Sequence, residues 1–174
     1  MLDNIKGTVI TKNENYKELV NKVENKELNE EINLPKNLNA SLRSYQKVGY
    51  KWLKVLDSYG FGGILADDMG LGKTIQLLAV ILDYVQNEKK PKPSIVVCPS
   101  SLSLNWQNEI KKFTPDLTSL VIHGNADERV KQIKSIPKYN IVITSYDLLK
   151  RDIETYKELN YEFKFIIADE AQYI

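Results

Sequence analysis

The chain has 174 residues, enough for one domain with a real core, and its 43% hydrophobic and 27% charged residues are the balance of an ordinary globular protein. With 24 basic and 23 acidic side chains the formal charge is +1, so bulk charge announces no nucleic-acid partner and any such surface must be local. A lone cysteine, Cys98, excludes an internal disulfide framework and fits a reducing cytosol, and no apolar run approaches the ~20 residues of a membrane span. In chain order, Tyr16, Leu19, Val20 and Val23 recur at helical spacing in a polar preface that ends near Pro35. We place a boundary there: 1–38 as a helical linker from an upstream region, 39–174 as the domain proper. Leu42, Tyr45, Val48, Gly49, Trp52, Leu53, Leu56 and Tyr59 form one apolar helical face that Gly60 ends. Residues 64–66 read as a buried strand, 68–72 as a glycine-bearing loop, and Lys73 as the start of a helix apolar nearly all round. Strands are expected over 94–98, 117–122, 140–144 and 163–168, and helices over 100–113, 127–136 and 146–159. Apolar strands alternating with helices predict a doubly wound α/β sheet, whose loops at the strand carboxyl ends gather on one edge where ligands bind.

The stretch GGILADDMGLGKT, residues 62–74, carries the chemistry. Strand, glycine loop and helix start, in that order, form the context of a phosphate-binding loop. The loop leaves backbone N–H donors pointing one way at the positive end of a helix, and phosphate oxygens satisfy them. Asp68, Met69, Gly70, Leu71, Gly72, Lys73 and Thr74 are the expected binding residues. Gly70 and Gly72 let the backbone curl toward the anion. Lys73 would reach the outer phosphates and Thr74 would ligate Mg²⁺. The first position of the strict pattern is Gly, and here it is Asp67. At the far end of the chain an apolar strand delivers Asp169-Glu170 to the same edge. Asp169 would hold Mg²⁺ with Thr74, and Glu170 would orient and deprotonate an attacking water, which makes the reaction hydrolysis. Gln46 carries a planar amide that suits the donor–acceptor edge of adenine. Arg43, Lys47 and Lys51 line one helical stripe, expected to be solvated. His123, the single histidine, has no second ligand near it and reads as a loop residue.

LRSYQKVGYKWL, GGILADDMGLGKT, IVVCPSSLSLNW, IVITSYDLLKRD and IIADEAQYI stand in this order. Together they resemble the first half of a SWI/SNF-type ATPase of helicase superfamily two, most similar to bacterial and archaeal members. The resemblance covers residues 40–174. It implies a P-loop, RecA-like three-layer α/β fold with a mainly parallel sheet, truncated after the DEAQ box, and a parent protein that hydrolyses ATP while moving along double-stranded DNA in the bacterial cytosol. It implies that Gln46 contacts adenine, that Lys73 and Glu170 are catalytic, and that Thr74 and Asp169 hold Mg²⁺. DNA-backbone contacts would come from Ser100, Ser101, Trp106, Thr144, Ser145 and Tyr146. The usual last residue of the box is His, and here it is Gln172. A second RecA-like lobe bearing arginine fingers would complete the enzyme; without it, weak nucleotide binding and negligible turnover are expected. The alternatives are a differently coupled P-loop ATPase or a non-enzymatic interaction fragment. In folds of this type another strand inserts between the Asp-Glu strand and the phosphate-loop strand. Its place is expected to be filled by closure of the sheet, by a rearranged C-terminal strand, or by self-association with another copy.

Overall fold

The computed structural model describes residues 33–68 and 70–173. The helix expected near residues 16–23, and Met69 in the loop, lie outside them. The elements are α1 (Ser44–Ser58), α2 (Lys73–Asn87), β1 (Ser94–Cys98), α3 (Ser103–Phe113), β2 (Ser119–Val121), α4 (Ala126–Lys134), β3 (Ile141–Ser145), α5 (Tyr146–Leu159) and β4 (Ile166–Ala168). The four described strands are parallel, in the order β2-β3-β1-β4. Cys98 lies opposite Ser145 and Val97 opposite Ala168, so the carboxyl ends of β1, β3 and β4 share one edge.

Strand periodicity divides the core. Val96 and Cys98 of β1 join Ile141 and Ile143 of β3 on one face, against Leu78, Ile81 and Leu82 of α2 and Trp106 and Ile110 of α3. Ile95, Val97 and Val142 face the other way, against Ile133 of α4 and Tyr156 of α5. Helix α1 packs outside α2 through Leu42 and Tyr50 on Ile75, Ala79 and Val80, and Leu34 and Leu38 extend that contact. This is the expected three-layer α/β sandwich. Burial pushes the Cys98 thiol up, with its Sγ 3.8 Å from Ser103 Oγ and no route to solvent. No described helix is long and apolar enough to cross a membrane.

Two expectations are corrected. Residues 64–66 do not join the sheet: they carry no regular secondary structure, and Ile64 is 87% exposed. None of the described residues fills the space between this segment and β4. It remains a cavity of 1020 Å³, with residues 62–68 on one wall, 165–172 on the other, and Leu77, Val80 and Ile81 of α2 between them. Strand β4 pairs with β1 on one side, and Ile166 is 75% exposed. The reason is physical. Apolar content gives a segment a tendency to pair, but its backbone N–H and C=O groups need a neighbouring ladder, and no described strand pairs with 64–66. The expected strand over 163–168 is likewise confined to Ile166–Ala168, although Ile95 N–H still donates to Phe165 O at 2.9 Å.

Candidate functional site

The loop before α2 bends through two left-handed glycines, Gly70 (φ 82°) and Gly72 (φ 75°). Gly72 is the N-cap of α2, and no side chain caps that helix. Its first N–H groups are therefore donors without a side-chain acceptor, which suits an anion. Lys73 opens the helix and folds back: its Nζ donates to Asp67 O at 2.7 Å and Asp68 O at 3.2 Å. The ammonium thus rests on the carbonyls of its own loop. Thr74 follows, half-buried.

Two amides hold the loop in shape. Gln46, buried on α1, donates from Nε2 to Leu71 O at 2.9 Å and accepts from Arg43 N–H at 2.9 Å. Its donor and its acceptor are both engaged within the chain, so here it is an anchor for the loop. Tyr45 Oη donates to the same Leu71 carbonyl at 3.2 Å. Gln76, fully buried on α2, donates to Asp67 Oδ2 at 3.1 Å and to Gly72 O at 3.3 Å, tying the start of the loop to its end. This gives Asp67 a role where the strict pattern has glycine. A Cβ on Gly49 would lie 1.8 Å from Gln76 Oε1, so Gly49 is the residue that makes room for this amide. Sequence reasoning passed over Gln76; the signal was a single polar residue inside an otherwise apolar run, IQLLAVIL.

Asp169 is held from three directions. Trp106 Nε1 donates to its Oδ2 at 2.8 Å, Glu170 N–H donates to its Oδ1 at 3.0 Å, and Tyr146 Oη donates to its main-chain oxygen at 2.8 Å. Burial, then the nearby Asp169, Cys98 and Glu170, raise the Tyr146 phenol, so it stays a protonated donor at neutral pH. Glu170 sits at φ 53°, a left-handed backbone that costs a residue other than glycine about 1–2 kcal/mol. Its Oε2 accepts from Gln172 Nε2. Lys73, Asp169 and Glu170 are all among the residues that line the cavity. Two of the roughly four lone-pair positions of the Asp169 carboxylate are engaged. The rest are hard oxygen acceptors of the kind Mg²⁺ takes, whereas Thr74 is not among the residues that line the cavity.

The residues expected to face DNA separate into two groups. Ser100 and Ser101 are exposed in a short 3₁₀ turn ahead of α3. Thr144 and Ser145 are buried, and Ser145 Oγ accepts from Leu148 N–H as the N-cap of α5. Trp106 is buried as well, and its indole N–H and the Tyr146 hydroxyl are both directed at Asp169.

Residues 45–174 match the family model described as SNF2-related domain. An uncharacterized ATP-dependent helicase of Mycoplasma genitalium is 41% identical over 139 residues, covering 80% of this chain and 13% of the relative. The ISWI chromatin-remodeling complex ATPase ISW1 of Saccharomyces cerevisiae is 39% identical over 145 residues, covering 80% of this chain and 12% of its own. The chain therefore spans only a small part of the relatives it matches. The Sulfolobus solfataricus SWI2/SNF2 ATPase core in complex with dsDNA superposes with a TM-score of 0.72 at 41% identity, over 83% of this chain and 29% of that one.

Proposed function

Because the chain belongs to the SNF2-related family of ATPase/helicase domains, we propose that residues 39–174 form the opening part of the first RecA-like lobe of an ATP-driven double-stranded DNA translocase. Residues 1–38 would then link it to an upstream region, and the parent protein would work on the nucleoid in the cytosol. The observation that supports this reading is that Lys73, Asp169 and Glu170 all line one cavity beside β4.

The α2 N-terminus and residues 68–72 would receive the phosphates of ATP, with Lys73 exchanging the Asp67 and Asp68 carbonyls for the outer phosphate oxygens. Asp169 and Thr74 would hold Mg²⁺, which when bound supplies charge neutralisation on the phosphate tail. Glu170 would orient a water and take its proton, with Gln172 fixing its carboxylate. Gln46 sits at the loop's flank, and reaching adenine would require it to release Leu71. Ser100, Ser101 and the backbone at 144–146 would meet the DNA phosphates; support comes from the dsDNA bound to the Sulfolobus relative. A second lobe would supply the arginines that make turnover fast.

Titration calorimetry with Mg-ATP tests this. Lys73→Ala and Asp169→Asn should each weaken binding about tenfold or more, as loss of a bond to a charged group does. Phosphate release stimulated by DNA should appear in the full-length protein and be negligible for these 174 residues alone. Equal Mg-ATP affinity in wild type and Lys73→Ala would sink the proposal.

A further inference from the structure

The geometry points to Trp106 as a positioning residue that ties the exposed start of α3 to the carboxylate of Asp169, with Tyr146 as its counterpart from α5. The inference rests on the proposed function and names residues that carry a signal within that site. A buried indole N–H needs some acceptor, so the bond alone could be plain satisfaction of a donor. Three observations take it further. The acceptor is a side-chain carboxyl oxygen, at 2.8 Å, rather than a backbone carbonyl. The same aspartate takes a second bond at its main-chain oxygen from Tyr146, so helices that follow two adjacent strands, β1 and β3, both reach across to one residue. Asp169 follows β4 and donates its own N–H to Val97 O of β1 at 2.8 Å, but β4 borders the open cavity on its other side, whereas β1 and β3 have a strand neighbour on both sides.

The other end of the link is open to a ligand. Ser100, Ser101 and Leu104 are exposed at the start of α3, and Trp106 lies two residues further, on the buried side of the same helix. A small rotation of α3 on contact with a nucleic-acid backbone would move the indole and with it Oδ2. The remaining oxygens of Asp169 would then be re-aimed at the cation they are suited to hold. Side chains that orient a metal ligand in this way typically govern metal affinity by about 10–100-fold.

The test uses ¹⁵N-labelled chain. Two indole N–H signals are expected, from Trp52 and Trp106, and Trp106→Phe assigns them. Asp169→Asn should move the Trp106 signal and leave that of Trp52 in place, and MgCl₂ with ATP should also move the Trp106 signal. In calorimetry, Trp106→Phe should raise the Mg²⁺ concentration needed for half-maximal ATP binding about tenfold, and Tyr146→Phe should raise it less. A purely structural tryptophan would lower the unfolding midpoint and leave the Mg²⁺ requirement unchanged, and that result would overturn the inference. So would a Trp106 indole signal identical in wild type and Asp169→Asn, a comparison that stands even if Trp106→Phe fails to fold. Either failure leaves intact the effect of Lys73→Ala on ATP binding, which belongs to the broader proposal.

Discussion

The β1–β3 half of the molecule and the half that carries the phosphate loop are built from similar apolar sequence but reach different states. Every residue of β1 and β3 is buried, each strand has a parallel neighbour on both sides, and α4 and α5 carry side-chain caps, Asn125 and Ser145, while α3 has none. Across the cavity, residues 64–66 have no ladder, β4 has one, and α2 begins at a glycine with no side-chain cap. The closed half pairs the backbones of β1 and β3 on both sides. The open half leaves donors, a cation and two carboxylates facing one space. Local stability and ligand readiness are thus divided between the two sides of a single sheet, as expected when binding elements come from the less stable end of a structure.

The sharpest way to break this contrast is a pair of truncations read by urea unfolding. Ile143→Ala in the closed half should cost about 2–5 kcal/mol, whereas Ile64→Ala, at 87% exposure, should stay within about 0.5 kcal/mol. Similar losses would mean that the 64–66 segment is packed after all. Next in size is Gly49→Ala. Alanine adds roughly 1 kcal/mol of helix propensity, but its Cβ would displace Gln76 from the loop, and such overpacking costs about 1–3 kcal/mol. The net change should be destabilising and should weaken nucleotide binding as well; a stabilised variant would remove Gln76 from the account of the loop. Asn125→Ala should cost about 1 kcal/mol, since its side chain accepts from Glu128 N–H while Glu128 returns a bond to the Asn125 backbone. The smallest effect concerns Lys92 and Glu162, an ion pair on the surface. The bond to Lys92 lowers the Glu162 carboxyl, so its stabilisation is present above the ordinary glutamate range and is lost as pH falls through the depressed value. The Lys92 ammonium is raised, so its share persists at lower pH and is lost only as pH climbs past that raised value. Both side chains are solvated, so Glu162→Gln should leave the unfolding midpoint unchanged at high salt.

Much of this was legible in the sequence because it is local. Continuous apolar β-branched runs located β1 and β3, helical spacing located the five described α-helices, and Lys73 with Asp169-Glu170 marked residues that line the cavity. The state of residues 64–66 was not legible, because a strand is a property of two segments and the pattern reports one. Trp106 and Tyr146 were picked out for a different contact, and their bonds to Asp169 span 63 and 23 residues, a separation that no periodicity encodes. Asp67 looked like a flaw in a motif until Gln76 supplied the partner.

The hidden Cys98 thiol has a practical consequence. It is the chain's only cysteine, and its surroundings bury it and hold it protonated. Thiol-directed spin labels should therefore pass it by and react at Ile64→Cys and Ile166→Cys, one on each bank of the open slot. The distance between the two labels would give the width of that slot directly, in solution and without any nucleotide.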